Sequence, residues 1–133
     1  MDDGAYLATK IVIEVACGTD ITELLSPLKM PADELECRIG ILNKDFKQYG
    51  NTVISELEKY IVQNSKYTVA DDSREGIRVS NENGWFLLRL SVHDPVMPLN
   101  FESDTKSGIK YMISDLKPFF SRFDMLSLPD ILK

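Results

Sequence analysis

Residues 77 to 90 constrain the fold more than any other stretch of this chain. Ile77 to Ser80 alternates apolar and polar residues, Asn83-Gly84 is a turn signal, and Trp85 to Leu90 is apolar almost without a break. A period of two marks a strand with one face in a core, and Asn-Gly favours a tight hairpin turn. A nearly continuous apolar run needs cover on one face and partial cover on the other. Together these signals predict an antiparallel hairpin whose second strand lies inside a sheet.

The flanking sequence supplies the rest of that sheet and its cover. Val96 to Glu102 puts Met97, Leu99 and Phe101 on one face and Pro98 and Asn100 on the other. Proline cannot donate to a ladder, so this strand is expected at an edge or at a bulge. Leu35 to Leu42 reads as a strand, and Asn43 to Asp45 offers caps for the longest helix, about Phe46 to Asn64. The helix carries a core stripe of Phe46, Tyr49, Val53, Leu57, Tyr60 and Ile61. Ala70 to Gly76 is a polar loop. Thr105 is the expected cap of a last helix with the stripe Ile109, Met112, Ile113 and Leu116, kinked or ended by Pro118. Beyond Phe123 no period is visible, and the tail is expected to pack on the body or hang free. The order strand, helix, three strands, helix predicts an α+β fold: an antiparallel sheet of about four strands with two helices packed on one face.

Residues 4 to 28 do not fit that unit. Asp2 or Asp3 can cap a helix from about Gly4 to Cys17, which stops at Gly18. Only Thr9, Lys10 and Glu14 make a polar face on it. A second helix starts at Thr19 or Asp20, with Glu23 as capping-box partner, and Ser26-Pro27 limits it. Two helices with no strand between them read as the end of another, α/β domain. The expected organisation is a helical remnant and linker over 1–34, an α+β domain over 35–122 and a tail over 123–133. The first helix, apolar on most sides, is a candidate surface for a second copy of the chain.

Charge and composition exclude several partners. At 133 residues one core can bury roughly two thirds of the surface the unfolded chain would expose, so neither disulfide nor metal is needed for folding. The net charge is −6 and no basic stripe is present, which argues against nucleic acid. No apolar run approaches the roughly 18 residues of a membrane span, and Met1-Asp2-Asp3 is acidic where a secretory signal is basic; a cytoplasmic protein is expected. Cys17 and Cys37 share no metal-binding spacing and read as reduced core thiols, and with His93 as the one histidine no zinc site can be assembled.

One loop gathers chemistry. In Arg89-Leu90-Ser91-Val92-His93-Asp94-Pro95 a cation, a hydroxyl, an imidazole and a carboxylate crowd together. An oxyanion such as phosphate asks for a guanidinium fork, hydroxyl donors and free backbone N–H groups in a tight turn. Arg89, Ser91, His93 and the peptide groups at Val92 and His93 can supply all three. The plain alternative is a hairpin connection turned by Asp94-Pro95. A hydrolase site of Ser91, His93 and Asp94 is disfavoured, because nucleophile and base normally come from separate elements. Glu36 with Arg38, and Asp71-Asp72 with Glu75, are carboxylate clusters that read as solvated strand ends and loops.

The stretch from Gly84 to Ser91, the loop ending at Pro95 and the strand after it resemble the last domain of the α-D-phosphohexomutases, the family of phosphoglucomutase and phosphomannomutase. That family's loop has the form Arg-(Pro or Leu)-Ser-(Gly or Asn)-Thr-Glu-Pro. Arg89, Leu90, Ser91 and Pro95 match it, while Val92, His93 and Asp94 depart from it. Upstream, Asp3-Gly4-Ala5-Tyr6, the segment Asp20 to Leu25, and Glu36 resemble the passage from domain three into domain four. The family's phosphoserine, metal and sugar loops are absent from this sequence. The resemblance implies a C-terminal piece of a longer enzyme that shifts a phosphoryl group between O1 and O6 of a hexose phosphate, glucose or mannose 1- or 6-phosphate. It implies Arg89, Ser91, Val92 and His93 as the phosphate-binding residues, with no catalytic residue and no cofactor in the fragment. Magnesium would belong to the missing N-terminal domains, which would be this chain's partners. The competing reading is a non-catalytic α+β regulatory or protein-interaction module with no ligand in the 89–95 loop.

Overall fold

Burial alternates along the long strands, and that alternation sorts the chain into a sheet with one covered face. A computed structural model describes residues 4–71 and 76–133. The expected caps Asp2 and Asp3, and Asp72 and Glu75 of the acidic loop cluster, lie outside the described residues. Two compact units divide the chain after Met30.

In the first unit, helix α1 spans Gly4–Ala16 and helix α2 spans Ile21–Leu25. The end of α1 is set by Gly18 at φ +89°, a conformation glycine adopts without penalty. It lets the Gly18 N–H reach the Val15 carbonyl and the Thr19 N–H reach the Glu14 carbonyl, both at 3.0 Å, which satisfies two of the helix's orphan carbonyls. Asp20 caps α2 by accepting from the Thr22 N–H at 2.8 Å. No residue of α1 is buried, and Tyr6, Leu7, Val12 and Ile13 are each more than half exposed.

The second unit begins with strand β1, Asp33–Ile41, and continues through helix α3, Phe46–Val62. Strands β2, Thr68–Val69, β3, Ile77–Asn81, β4, Gly84–Leu88, and β5, Val96–Ser103, follow. Helix α4, Gly108–Phe120, strand β6, Leu126–Ser127, and a 3-10 turn, Asp130–Leu132, complete it. The six strands form one antiparallel sheet in the order β2-β3-β4-β5-β1-β6. The α+β class holds, but the sheet has six strands rather than about four. The two extra ones are two-residue edges, too short to carry a period.

One face of the sheet is the core. Ile39 and Ile41 of β1, Phe86 and Leu88 of β4, and Met97, Leu99 and Phe101 of β5 are buried beneath Val53, Leu57 and Ile61 of α3 and Met112, Leu116, Phe119 and Phe120 of α4. The other face is polar and ion-paired: Trp85 Nε1–H donates to Glu102 at 3.2 Å, and Arg38 pairs with Glu36 at 3.5 Å.

Four local expectations are corrected. The β3–β4 hairpin turns at Glu82-Asn83, because Asn81 pairs with Gly84. Gly84 is a strand residue, where a Cβ would meet the Glu102 carbonyl oxygen at 2.2 Å. The cap position of α4 is Ser107, two residues after Thr105, whose hydroxyl instead lies 3.4 Å from that of Ser103. Helix α4 does not end at Pro118 but runs on to Phe120, with Phe119 and Phe120 buried in the core. The tail packs on the body: β6 adds to β1, and Leu126 and Leu132 are buried.

The fourth correction concerns Pro98, which stands in an inner strand. A strand residue points its N–H and its carbonyl at the same neighbour. The Pro98 carbonyl accepts from the Arg89 N–H at 3.1 Å, so its missing N–H faces β4 and costs β1 nothing. The bond that would have returned to the Arg89 carbonyl cannot form. The β4–β5 ladder accordingly ends at Leu88↔Leu99, and the chain leaves the sheet at Arg89.

Candidate functional site

From that departure point the backbone closes on itself. The Ser91 N–H donates to the Val96 carbonyl at 3.0 Å, and the Val96 N–H to the Asp94 carbonyl at 2.7 Å. The Asp94 N–H donates to Ser91 Oγ at 3.3 Å, and the Pro95 carbonyl accepts from the Ile41 N–H of β1 at 2.8 Å. Ser91 Oγ is thereby used as an acceptor, which leaves its O–H free to donate. Among the described residues, nothing accepts from the N–H groups of Val92 or His93, and nothing pairs with the Arg89 guanidinium. Val92 is 69% exposed, so its side chain packs little.

The loop is seated by two glycines. Leu90 packs on α3 at Gly50, where a Cβ would meet Leu90 Cδ1 at 2.6 Å and Ile41 Cδ1 at 3.2 Å. Gly76, at φ +145°, lies against the last residues of β4, and a Cβ there would meet the Leu88 carbonyl oxygen at 2.2 Å and Arg89 Cα at 2.8 Å. Both close approaches fix where the Arg89 backbone sits.

A cleft of about 790 Å³ opens at this end of the sheet, lined by Lys47, Asn51 and Ile54 of α3, Gly76, Arg89 to His93, and Pro98. The predicted residues Arg89, Ser91, Val92 and His93 therefore share one cavity wall. Asp94 is not on that wall. In a chain of net charge −6, the described lining holds two permanent cations and an imidazole and no carboxylate. Lys47 and Asn51 escaped the sequence reading. The available signal was Gly50, an isolated glycine inside a strong helical stripe, which costs a helix about 1 kcal/mol and so points to a close packing partner.

The other candidates separate. Ser91, His93 and Asp94 form no nucleophile–base–orienter chain: the one bond joining them runs from a backbone N–H to Ser91 Oγ, and among the described residues His93 hydrogen-bonds to neither. Glu36 is held by Arg38 and by Asn100 Nδ2–H at 3.1 Å on the open sheet face. No cluster of His, Cys, Asp and Glu able to hold a metal ion occurs among the described residues, so they do not fit magnesium. Cys37 is half-buried and Cys17 exposed; burial, with Glu36 beside it, pushes the Cys37 thiol up from its ordinary pKa. No described helix is long and apolar enough to cross a membrane.

Comparison with known proteins adds a second line of observation. No family model matches the chain. A phosphomannomutase from Methanocaldococcus jannaschii is 28% identical over 99 residues, covering 69% of this chain and 22% of the archaeal protein. The crystal structure of a phosphoglucomutase/phosphomannomutase family protein from Burkholderia thailandensis superposes with a TM-score of 0.56 at 21% identity, covering 92% of this chain and 24% of that one. Sequence and fold thus both set the chain beside the phosphoglucomutase/phosphomannomutase proteins. It spans between a fifth and a quarter of their length.

Proposed function

We propose that residues 31–133 form the C-terminal, phosphate-clamping domain of a phosphohexomutase, and that the 89–95 loop grips the phosphate group of a hexose phosphate. The observation that carries this reading is the Arg89 guanidinium, which has no partner among the described residues and shares with the open N–H groups of Val92 and His93 a cleft whose described lining holds no carboxylate. Arg89 would supply a planar two-pronged donor, the Ser91 hydroxyl a neutral one, and the peptide N–H groups of Val92 and His93 a small concave nest. Asp94 is not among the residues that line the cleft.

In a phosphoryl transfer the protein does little covalent chemistry, and holding a phosphate that is not reacting contributes position and charge neutralisation. Phosphoryl exchange between O1 and O6 would take place on segments beyond this chain. A few charge-assisted contacts in an open cleft support a dissociation constant of about a millimolar.

The test is an amide-shift titration with glucose 1-phosphate. Resonances of residues 89–93 are expected to move, and Arg89→Ala is expected to weaken binding by about tenfold or more, from the loss of roughly 1.5–3 kcal/mol in a charge-assisted contact. Shifts that persist unchanged in Arg89→Ala would make the loop only a turn and favour the interaction-module reading.

A further inference from the structure

Opposite the loop, one stripe of α3 looks into the same cleft. Lys47, Asn51 and Ile54 lie on successive turns of one helix face, and all three line the cavity with Arg89, Ser91 and His93. Their distance from the loop is not adjustable. Gly50, on the same helix between Lys47 and Asn51, lets Leu90 seat directly on the helix, and any Cβ there would push the two apart. Lys47 is exposed and has no carboxylate partner among the described residues, its nearest ring neighbour being Phe46 at 6.0 Å. Lys59, by contrast, is paired with Glu56 at 2.7 Å three residues away. Lys47 instead faces a cavity whose described lining contains no acid.

We infer that the α3 stripe is the second wall of the anion site, with Lys47 as a second cationic ligand and Asn51 as the polar group beside it. This rests on the phosphate-clamp reading and deepens it. The loop grips from one side with Arg89 and the two peptide N–H groups. Lys47, a mobile point charge on a long stem, reaches the same anion from the helix, while the Asn51 amide can donate to a phosphate oxygen or meet a sugar hydroxyl next to it. The consequence is a preference for doubly charged phosphate monoesters over singly charged diesters of similar size, because two cations converge where one would suffice for a monoanion.

The experiment uses the full chain and compares Lys47→Gln, Asn51→Ala and Arg89→Ala in titrations with glucose 1-phosphate and with dimethyl phosphate. In the unaltered chain the amides of 47–51 are expected to shift together with those of 89–93. Lys47→Gln is expected to weaken glucose 1-phosphate binding by about three- to tenfold and to flatten its salt dependence, with little change for the diester. If Arg89→Ala abolishes binding while Lys47→Gln binds like the unaltered chain and the 47–51 amides stay still, the second wall is overturned and the clamp stands. If Arg89→Ala has no effect, the clamp itself falls and this inference with it.

Discussion

Pro98 and Gly76 act on the same few atoms from two sides. Pro98 withholds the N–H that would have continued the β4–β5 ladder, and Gly76 presses its backbone on the strand end so that Arg89 departs at a fixed place. Neither role was visible in the sequence. Proline in a strand reads as an edge signal because its missing donor has no direction until the register is known. Gly76 sits in a polar loop where a glycine needs no special reason. Gly76→Ala is expected to destabilise the domain by about 1–3 kcal/mol, since φ +145° strains any residue with a Cβ and the nearest obstacle is backbone. It is also expected to displace the 88–91 amide resonances. A urea-unfolding midpoint and spectrum equal to those of the unaltered chain would contradict this.

Among the elements, those with a period were legible. The stripe of α3, the alternation of β5 and the apolar run of β4 each carry enough residues for the pattern to specify a face, and the helices do lie on one face of an antiparallel sheet. What lacked a period was missed or left open: β2 and β6, two residues each, were missed, and the tail, expected to pack or hang free, packs with Leu132 1% exposed. Aromatic residues join the elements further. The Tyr67 hydroxyl donates to Asp115 Oδ2 at 2.9 Å and the Tyr60 hydroxyl to the Asp115 carbonyl at 3.1 Å, tying α3 and the approach to β2 to α4. Burial, then the Asp115 carboxylate, holds the Tyr67 phenol far above the ordinary tyrosine pKa. The folded state therefore keeps this proton where the unfolded chain, titrating near about pH 10, has released it. The contribution is whole below that pH and is lost as pH rises toward the higher folded value. Tyr67→Phe is expected to cost about 1 kcal/mol at neutral pH. The gap between the two proteins should narrow in urea unfolding as pH is raised through the alkaline range, and a gap that widens would contradict the assignment.

At the scale of the whole molecule, an acidic chain sets Lys47, Arg89 and His93 around one cleft whose described lining holds no carboxylate. The sequence motif drew attention to one wall of that cleft, because Arg89 to His93 are contiguous. The facing wall lies on α3, some forty residues earlier, and comes beside the loop where Leu90 packs on Gly50. The same division applies to the molecule's place among its relatives. It spans under a quarter of the length of the proteins it resembles, so likeness to them speaks for one domain's fold and not for a whole enzyme's chemistry. The most direct measurement is the amide response of the full chain to three ligands at equal concentration: glucose 1-phosphate, inorganic phosphate and glucose. Both phosphates are expected to move residues 89–93, and glucose is expected to move none of them. Equal shifts with glucose, or no shift with either phosphate, would contradict a phosphate clamp at this loop.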